Sequence, residues 1–281
     1  MKLDYSARFR EELPRPAAPA KITSVDLHFN LLQGLPEWLR ECRNLEVLLL
    51  GSNELSVLPE WVGDFRRLRI LNLSRNLFQC FPEALLHLPR LEALRINGNG
   101  LVVFPPDFHP QHLKFLDLSD NRLRWIPGTF FEHCQALRVL FLRGNRLLNL
   151  PPSIANLKEL RRLDLSHNRL GLFRSHVCRF PELRSLGLQA NRLRGLSPEI
   201  GNLVSLRELT VHDNQLTQLP ESVSQLADLR YLDANNNALC GLPLDIGSCR
   251  ALRRVIVSRN PIRWLPVSLR NVPHFATCLS Q

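Results

Sequence analysis

One register runs through the whole chain. An asparagine recurs at Asn30, Asn53, Asn76, Asn99, Asn121, Asn145, Asn168, Asn191, Asn214, Asn237 and Asn260, each set in apolar residues spaced LxxLxLxxNxL. Eleven units of 22 to 24 residues therefore lie between Ile22 and Ile262. Leu160, Leu163, Leu165, Asn168 and Leu170 form a clear copy; Leu229, Leu232, Ala234, Asn237 and Leu239 form the most degraded one. A period of this length commits a chain to a stack of similar coils, in which each coil buries its apolar face only against its neighbours.

Each position in the unit has a physical task. Within LxL the residues alternate, so the leucines enter the core and their neighbours face outward from a short strand, with successive strands stacked in parallel. The asparagine falls where the chain leaves the strand, and its amide can bond backbone groups that the turn leaves unpaired. Most units continue with an apolar residue and proline, as at Leu35-Pro36, Leu58-Pro59, Phe104-Pro105, Leu150-Pro151 and Leu265-Pro266. The following segment is too short for a long helix, so extended or one-to-two-turn helical pieces are expected there. The fold class predicted is an α/β solenoid, or horseshoe, with a parallel β-sheet on the concave face and short helical or extended segments on the convex side. Phe173-Arg174 and Leu196-Ser197-Pro198 depart from the apolar-Pro pattern and predict local irregularity.

Solenoid ends need covering. Residues 1–21, with Pro14, Pro16 and Pro19, read as a lead-in or cap whose Leu3, Tyr5, Phe9 or Leu13 covers the first repeat. Residues 22–266 hold the eleven repeats, and 267–281 an incomplete twelfth in which Leu269, Val272, Phe275 and Cys278 continue the pattern. That last unit is read either as a half-repeat cap or as the start of something longer.

Composition narrows the class. With 44% apolar and 22% charged residues the chain has ample core and no disordered character, and no apolar run reaches the length of a membrane span. Met1 to Pro16 is charged and is not a signal peptide. Seven cysteines without CxxC pairs suggest neither zinc nor a disulfide frame, which points to a reducing, cytoplasmic compartment. The net charge of +10 is supplied almost wholly by arginine, the residue suited to bidentate carboxylate or phosphate contacts.

The Leu-Pro-x-x-Ile-x-x-Leu connection and 23-residue spacing resemble the intracellular leucine-rich repeats of the Ras-suppressor and Scribble group, over residues 22–275. A local likeness to the repeat region of the PH-domain leucine-rich-repeat protein phosphatases lies in Asp26-Leu27-His28-Phe29-Asn30-Leu31-Leu32, Pro36-Glu37-Trp38 and Leu45-Glu46-Val47-Leu48, and in the 22-then-24 spacing through Asn99, Asn121 and Asn145. These resemblances imply a leucine-rich-repeat solenoid acting as a scaffold or targeting module in signalling. The sequence carries no phosphatase domain, so no activity is carried over.

If the solenoid reading holds, the outward strand residues form rows about 4.8 Å apart and a surface about 50 Å long, a size suited to a protein or peptide. Arg95, Phe115, Phe141, Arg143, Arg162 and Tyr231 are the candidate protein-binding residues, because interface hot spots favour aromatics and arginine. The alternative for each is an ordinary solvated strand position. Val57, Cys80, Val103, Trp125 and Trp264 form a lateral row read either as a binding stripe or, preferentially, as packing between adjacent coils. Arginines recur after the first motif leucine at Arg69, Arg138, Arg161, Arg184, Arg207, Arg230 and Arg253, and after the asparagine at Arg122, Arg146, Arg169 and Arg192. They are read as a solubilising edge paired with Asp and Glu, or alternatively as a strip for an acidic partner, an anionic surface or nucleic acid. No interleaved aromatics accompany them, which makes nucleic acid the weaker reading.

Catalysis finds little support. His167 with Asp164, or His212 with Asp213, lack a matching activated serine or cysteine, and no phosphate loop, HExxH or paired-carboxylate signature is present. Cys42, Cys134 and Cys249 each precede a motif leucine by three residues and read as core filling. Arg138-Val139-Leu140-Phe141 matches a short phosphatase-docking motif, but lies on a strand with Leu140 inward. The chain is thus expected to be a monomeric, non-enzymatic interaction module that uses no cofactor or metal and binds a protein partner.

Overall fold

The computed structural model describes residues 1–272 and 274–276. The chain forms two compact units, Met1–Leu137 and Arg138–Gln281. In the first, β1 (Lys2–Asp4), β2 (Ser24–Asp26), β3 (Val47–Leu49), β4 (Ile70–Asn72), β5 (Ala93–Arg95) and β6 (Phe115–Asp117) pair in parallel, each with the next in sequence. In the second, β7 (Val139–Phe141), β8 (Arg162–Asp164), β9 (Ser185–Gly187), β10 (Glu208–Thr210), β11 (Tyr231–Asp233), β12 (Arg254–Ile256) and β13 (His274–Ala276) do the same. Every strand has three residues, and from β2 to β12 the central one is buried; Leu48, Leu71, Leu94, Leu116, Leu140, Leu209 and Leu232 are fully so. This is the leucine-rich-repeat solenoid fold expected from the period.

The returning segments are short 3-10 helices such as Glu37–Glu41, Glu60–Asp64 and Pro152–Asn156, entered directly from the apolar-Pro step. Proline fixes the extended-to-helical corner because its φ is already set. The predicted irregularity at Leu196-Ser197-Pro198 does not materialise: Ser197 Oγ accepts the Glu199 N–H at 3.2 Å and caps the helix in place of proline geometry. Phe173 likewise keeps its core place, 6% exposed.

The real departure lies elsewhere. The unit running from Asn99 to Asn121 has no helix in its return, whereas the next unit carries α1 (Gly128–His133), the one α-helix among the described residues. Phe108 fills the space left there: Phe81, Phe104, Phe108 and Phe130 form a ring cluster with centroid separations of 4.9 to 6.1 Å. The 22-then-24 spacing is thus a trade of a short turn for a longer helix over one aromatic core.

The asparagines explain why coils stack. Asn168 Nδ2 donates to the carbonyls of Leu165 (3.0 Å) and Ser166 (3.1 Å) in its own coil and of Leu142 (2.9 Å) in the preceding one, while its Oδ1 accepts the Leu147 N–H at 3.0 Å. Asn53, Asn76, Asn191 and Asn237 repeat the same set. The ladder therefore runs from side chain to backbone.

The residue before each motif asparagine is left-handed, from Phe29 (φ 54°) to Arg259 (φ 54°), and only Gly98 and Gly144 among these eleven are glycines. The turn aims that residue's N–H at the following coil: Ser52 N donates to the Ser74 carbonyl at 2.8 Å, and His167 N to Gln189 at 2.9 Å. The hydrogen bond offsets a conformational cost of about 1–2 kcal/mol for a non-glycine residue.

Residues 2–10 follow a repeat-like path. Tyr5 and Ala7 N–H donate to the Asp26 and His28 carbonyls, and Arg10 N–H reaches Asn30 Oδ1. Leu13 is buried and Tyr5 packs edge-on against Trp38 at 6.4 Å, but Phe9 is 70% exposed and does not cover the first coil. At the other end Leu269 and Val272 are buried, whereas the side chain of Phe275 and all of Cys278 lie outside the described residues.

Asn168→Ala leaves one amide and a carbonyl cluster unpaired inside the stack, and is expected to cost about 2–4 kcal/mol in urea unfolding. A loss under ~0.5 kcal/mol would mean that the asparagine bonds do not hold the coils together. The six described cysteines also separate by exposure, with Cys80 and Cys240 exposed and Cys42, Cys134, Cys178 and Cys249 buried. Burial pushes the Cys42 and Cys249 thiols up to about 11 and Cys178 to about 12, and raises Cys134. Maleimide at neutral pH is expected to label Cys80 and Cys240 rapidly and the four buried thiols only on unfolding, as read by peptide mass mapping.

Candidate functional site

From β1 to β12 the face turned away from the core carries the first and third residue of each strand. Third positions have a structural task that sequence reading missed. Asp4, Asp26, Asn72, Asp117, Asp164 and Asp233 each accept, through Oδ1, the N–H two residues on, at 2.9 to 3.1 Å. These are Asx turns that steer the chain out of the strand. The signal was present as Asp/Asn-x-Ser/His/Asn ahead of the motif asparagine.

In the first unit, β5 and β6 bring two predicted residues together. The Arg95 guanidinium lies 4.8 Å from the centre of the Phe115 ring, and Arg95 pairs in register with Asp117. Arg95 is exposed, whereas Phe115 and Asp117 are half-buried. Desolvation raises the Asp117 carboxyl above the ordinary carboxylate value, against the lowering effect of the Ser119 hydrogen bonds and of Arg95. An anion is thus held on this face with incomplete compensation.

Nearby in the same unit, Asp26 Oδ1 meets His28 Nδ1 at 2.9 Å, and His28 Nε2 meets Asn72 Nδ2 at 2.8 Å. Since Asn72 Nδ2 can only donate, His28 Nε2 accepts and Nδ1 carries the proton. Gly51 makes room: a Cβ there would stand 2.6 Å from the His28 ring. This network occupies the Asn72 side chain and was not foreseen.

In the second unit, Phe141 is half-buried at the third position of β7, and Arg162 is exposed at the first position of β8, in register with Val139 rather than Phe141. Arg143 is exposed beyond the end of β7. Tyr231 sits apart from these on β11: its hydroxyl donates to Asp233 Oδ2 at 3.2 Å and the Arg254 guanidinium lies 5.8 Å from its ring. Arg254, Tyr231 and Asp233 repeat the arginine, aromatic and aspartate grouping of Arg95, Phe115 and Asp117.

Two sequence readings need correction. The lateral row does not pack between coils: Val57 (70%), Val103 (54%), Trp125 (50%) and Trp264 (48%) are exposed, as is Cys80. Trp264 leans on a neighbouring coil over Gly241, where a Cβ would meet its ring at 2.6 Å. Nor is the arginine edge paired throughout. Arg69 (2.6 Å) and Lys114 (2.9 Å) share Glu92, whose carboxyl they hold down at about 2, and Arg138 meets Glu159 at 3.0 Å. No other member of the Arg69-to-Arg253 column has a carboxylate partner among the described residues.

Catalytic pairings are sparse. His212 Nδ1 meets Asp213 Oδ2 at 2.7 Å, and Asp213 is lowered first by the Asn236 amide and then by His212, with no nucleophile attached. Asp164 accepts from Ser166 and makes no bond to His167 among the described residues. Among the same residues no group of three or more His, Cys, Asp or Glu could hold a metal, and no helix is long and apolar enough to cross a membrane.

Family models described as leucine rich repeat match residues 20–78, 57–101 and 111–170, and one described as leucine-rich repeat region matches 171–260. The chain belongs to the leucine-rich-repeat family. This leucine-rich-repeat chain is 43% identical over 65 residues to leucine-rich repeat serine/threonine-protein kinase 1 of Mus musculus, a match covering 23% of the chain and 3% of that relative. It superposes on a leucine-rich-repeat protein of Leptospira interrogans with a TM-score of 0.75 at 28% identity, over 91% of this chain and 72% of that one. An internalin of Listeria monocytogenes shares the fold with a TM-score of 0.81 at 17% identity, over 95% and 78% of the two chains. Leucine-rich-repeat proteins generally mediate protein–protein interaction.

Ionised Asp117 costs stability because desolvation raises its carboxyl in the folded state above the ordinary carboxylate value. The penalty is present at neutral pH and fades as pH falls through the raised value. Asp117→Asn, which keeps an oxygen for the Ser119 N–H, is therefore expected to raise the urea midpoint at pH 7, with the gain shrinking to nothing under acid conditions. A lower midpoint at pH 7 would show that the carboxylate is already fully compensated.

Proposed function

We propose that this chain is an intracellular, non-enzymatic interaction module that binds a protein partner on the open faces of its sheets. The observation that carries the reading is the Arg95, Phe115 and Asp117 cluster: an exposed guanidinium over a half-buried ring, beside a carboxylate raised by desolvation. Such a grouping offers a partner an aromatic platform, an anion receptor and an under-compensated anion within one strand spacing. Interfaces draw most of their energy from aromatic and arginine anchors.

Arg95, Phe115, Phe141, Arg143, Arg162 and Tyr231 are the proposed contact residues. Tyr231 belongs to a second grouping of like composition, with Arg254 5.8 Å from its ring. The resemblance to the Ras-suppressor and Scribble group supports a scaffold role in signalling, and the cysteine usage supports a reducing cytoplasmic setting. Residues 1–21 are proposed as the cap of the first repeat, on the strength of the buried Leu13 and the β1–β2 pairing.

Affinity capture from cell lysate tests the site in both units. Arg95→Glu with Phe115→Ser in the first unit, and Phe141→Asp with Arg143→Glu in the second, are each expected to reduce recovery of a protein retained by the wild type by about tenfold or more. Undiminished recovery with both folded double variants sinks the open-face reading.

A further inference from the structure

We propose that the arginine file of the second unit is a docking strip for an extended acidic peptide segment of a partner protein. The file stands on the flank of the coils, so this proposal and the open-face reading stand or fall separately. Arg161, Arg184, Arg207, Arg230 and Arg253 each directly precede a strand, β8 to β12 in order. Each backbone N–H donates to the carbonyl of the member before it, at 2.8 Å for Arg184, Arg207 and Arg230 and 2.9 Å for Arg253. The five therefore stand in strict register, one sheet spacing apart, about 4.8 Å from rung to rung.

None of the five is neutralised. No carboxylate lies within salt-bridge distance of any of them among the described residues, in contrast to Arg138 at the head of the file, which Glu159 holds at 3.0 Å. Four are exposed; Arg207, in the middle, is half-buried with its Nε enclosed and lacking a hydrogen-bond partner. Like charges directly opposite one another across a sheet are destabilising, so the stack gains nothing internal from this arrangement. Five unspent guanidiniums in one line form a receptor for a line of anions.

The surroundings select the kind of anion. Exposed Glu159, Glu182 and Asp228 precede the file by two residues, and the strand positions that follow it are Arg162, Ser185, Glu208, Tyr231 and Arg254. A row of cations beside a row of carboxylates disfavours a broad polyanion, because nucleic acid would bring phosphates over the flanking acids as well. An extended peptide is narrower. Its alternate side chains lie about 6.7 Å apart on one edge, so about seven residues with acidic side chains at every second position span the five rungs. Guanidinium and carboxylate then pair in the bidentate geometry that arginine offers and lysine does not.

The full chain is titrated, by fluorescence anisotropy, into a fluorescein-labelled peptide of about eight residues alternating Glu and Thr. A single-stranded oligonucleotide of equal formal charge runs in parallel. Saturable binding of the peptide that weakens with added salt is expected. Arg184→Glu/Arg207→Glu/Arg230→Glu is expected to weaken it by about 10- to 100-fold, since three attractive pairs become repulsive. Arg67→Glu/Arg90→Glu, on the first unit, leaves it unchanged. Arg184→Gln/Arg207→Gln/Arg230→Gln serves as the second variant, expected to keep the wild-type melting temperature while still losing affinity. The proposal is overturned by absence of peptide binding, by peptide affinity indifferent to both triple variants, or by a melting temperature that falls with the glutamine variant. Tighter, file-dependent binding of the oligonucleotide overturns it in favour of a nucleic-acid strip.

Discussion

Everything in this molecule depends on one hydrogen-bonding arrangement, the asparagine amide that closes its own coil and the preceding one together. Leucine burial supplies most of the driving force but has no direction, and it would equally reward a disordered apolar bundle. The asparagine imposes order because a carbonyl or N–H enclosed between coils without a partner carries a desolvation penalty of about 1–3 kcal/mol. Asn168 shows the logic: it satisfies two carbonyls of its own turn, one of the coil before, and an amide of that same earlier coil. Neither coil is complete alone.

The strand exits follow from that constraint. To present the asparagine inward the preceding residue turns left-handed, and the chain accepts this at Phe29, Arg75, Asp120 and Ala190 as well as at the glycines. The third strand residue supports the same bend as an Asx turn. Asp117, Asp164 and Asp233 are therefore committed to the backbone through one oxygen while the rest of the carboxylate still faces the open side of the sheet. A residue serving both the turn and the surface cannot relax away from either, so Asp117 stays half-buried, where desolvation raises its carboxyl against the lowering effect of the Ser119 hydrogen bonds and Arg95. The surface chemistry of this face is a by-product of turn chemistry.

The flanks obey looser rules. Positions outside the leucine and asparagine register are free of the core, and there the chain exposes Val57, Val103, Trp125 and Trp264 on one edge and sets arginines before consecutive strands on the other. Repetition aligns identical side chains whether or not alignment helps folding. For Glu92 it produces a shared pair of cations, and for the file from Arg161 to Arg253 it produces unrelieved positive charge.

The sequence by itself determined the period, the parallel strand order, the buried leucines and the role of the asparagine, because each is a one-dimensional pattern matched to the two-residue alternation of a strand and to the coil repeat. It also indicated which side chains face outward, and Arg95, Phe115, Phe141 and Tyr231 do lie on the open faces. Only the tertiary structure decided which of them meet: Arg95 reaches Phe115, Tyr231 meets Arg254, and Phe141 and Arg162 take offset positions on adjacent strands. It likewise turned the lateral aromatics out to solvent, left most of the arginine column unpaired, and traded a helix for the Phe104–Phe108–Phe130 cluster. Those outcomes turn on distances between side chains about one repeat apart in sequence. Such distances are set by how each coil's turns and helix seat on its neighbour, a geometry to which residue order contributes only through the packed whole.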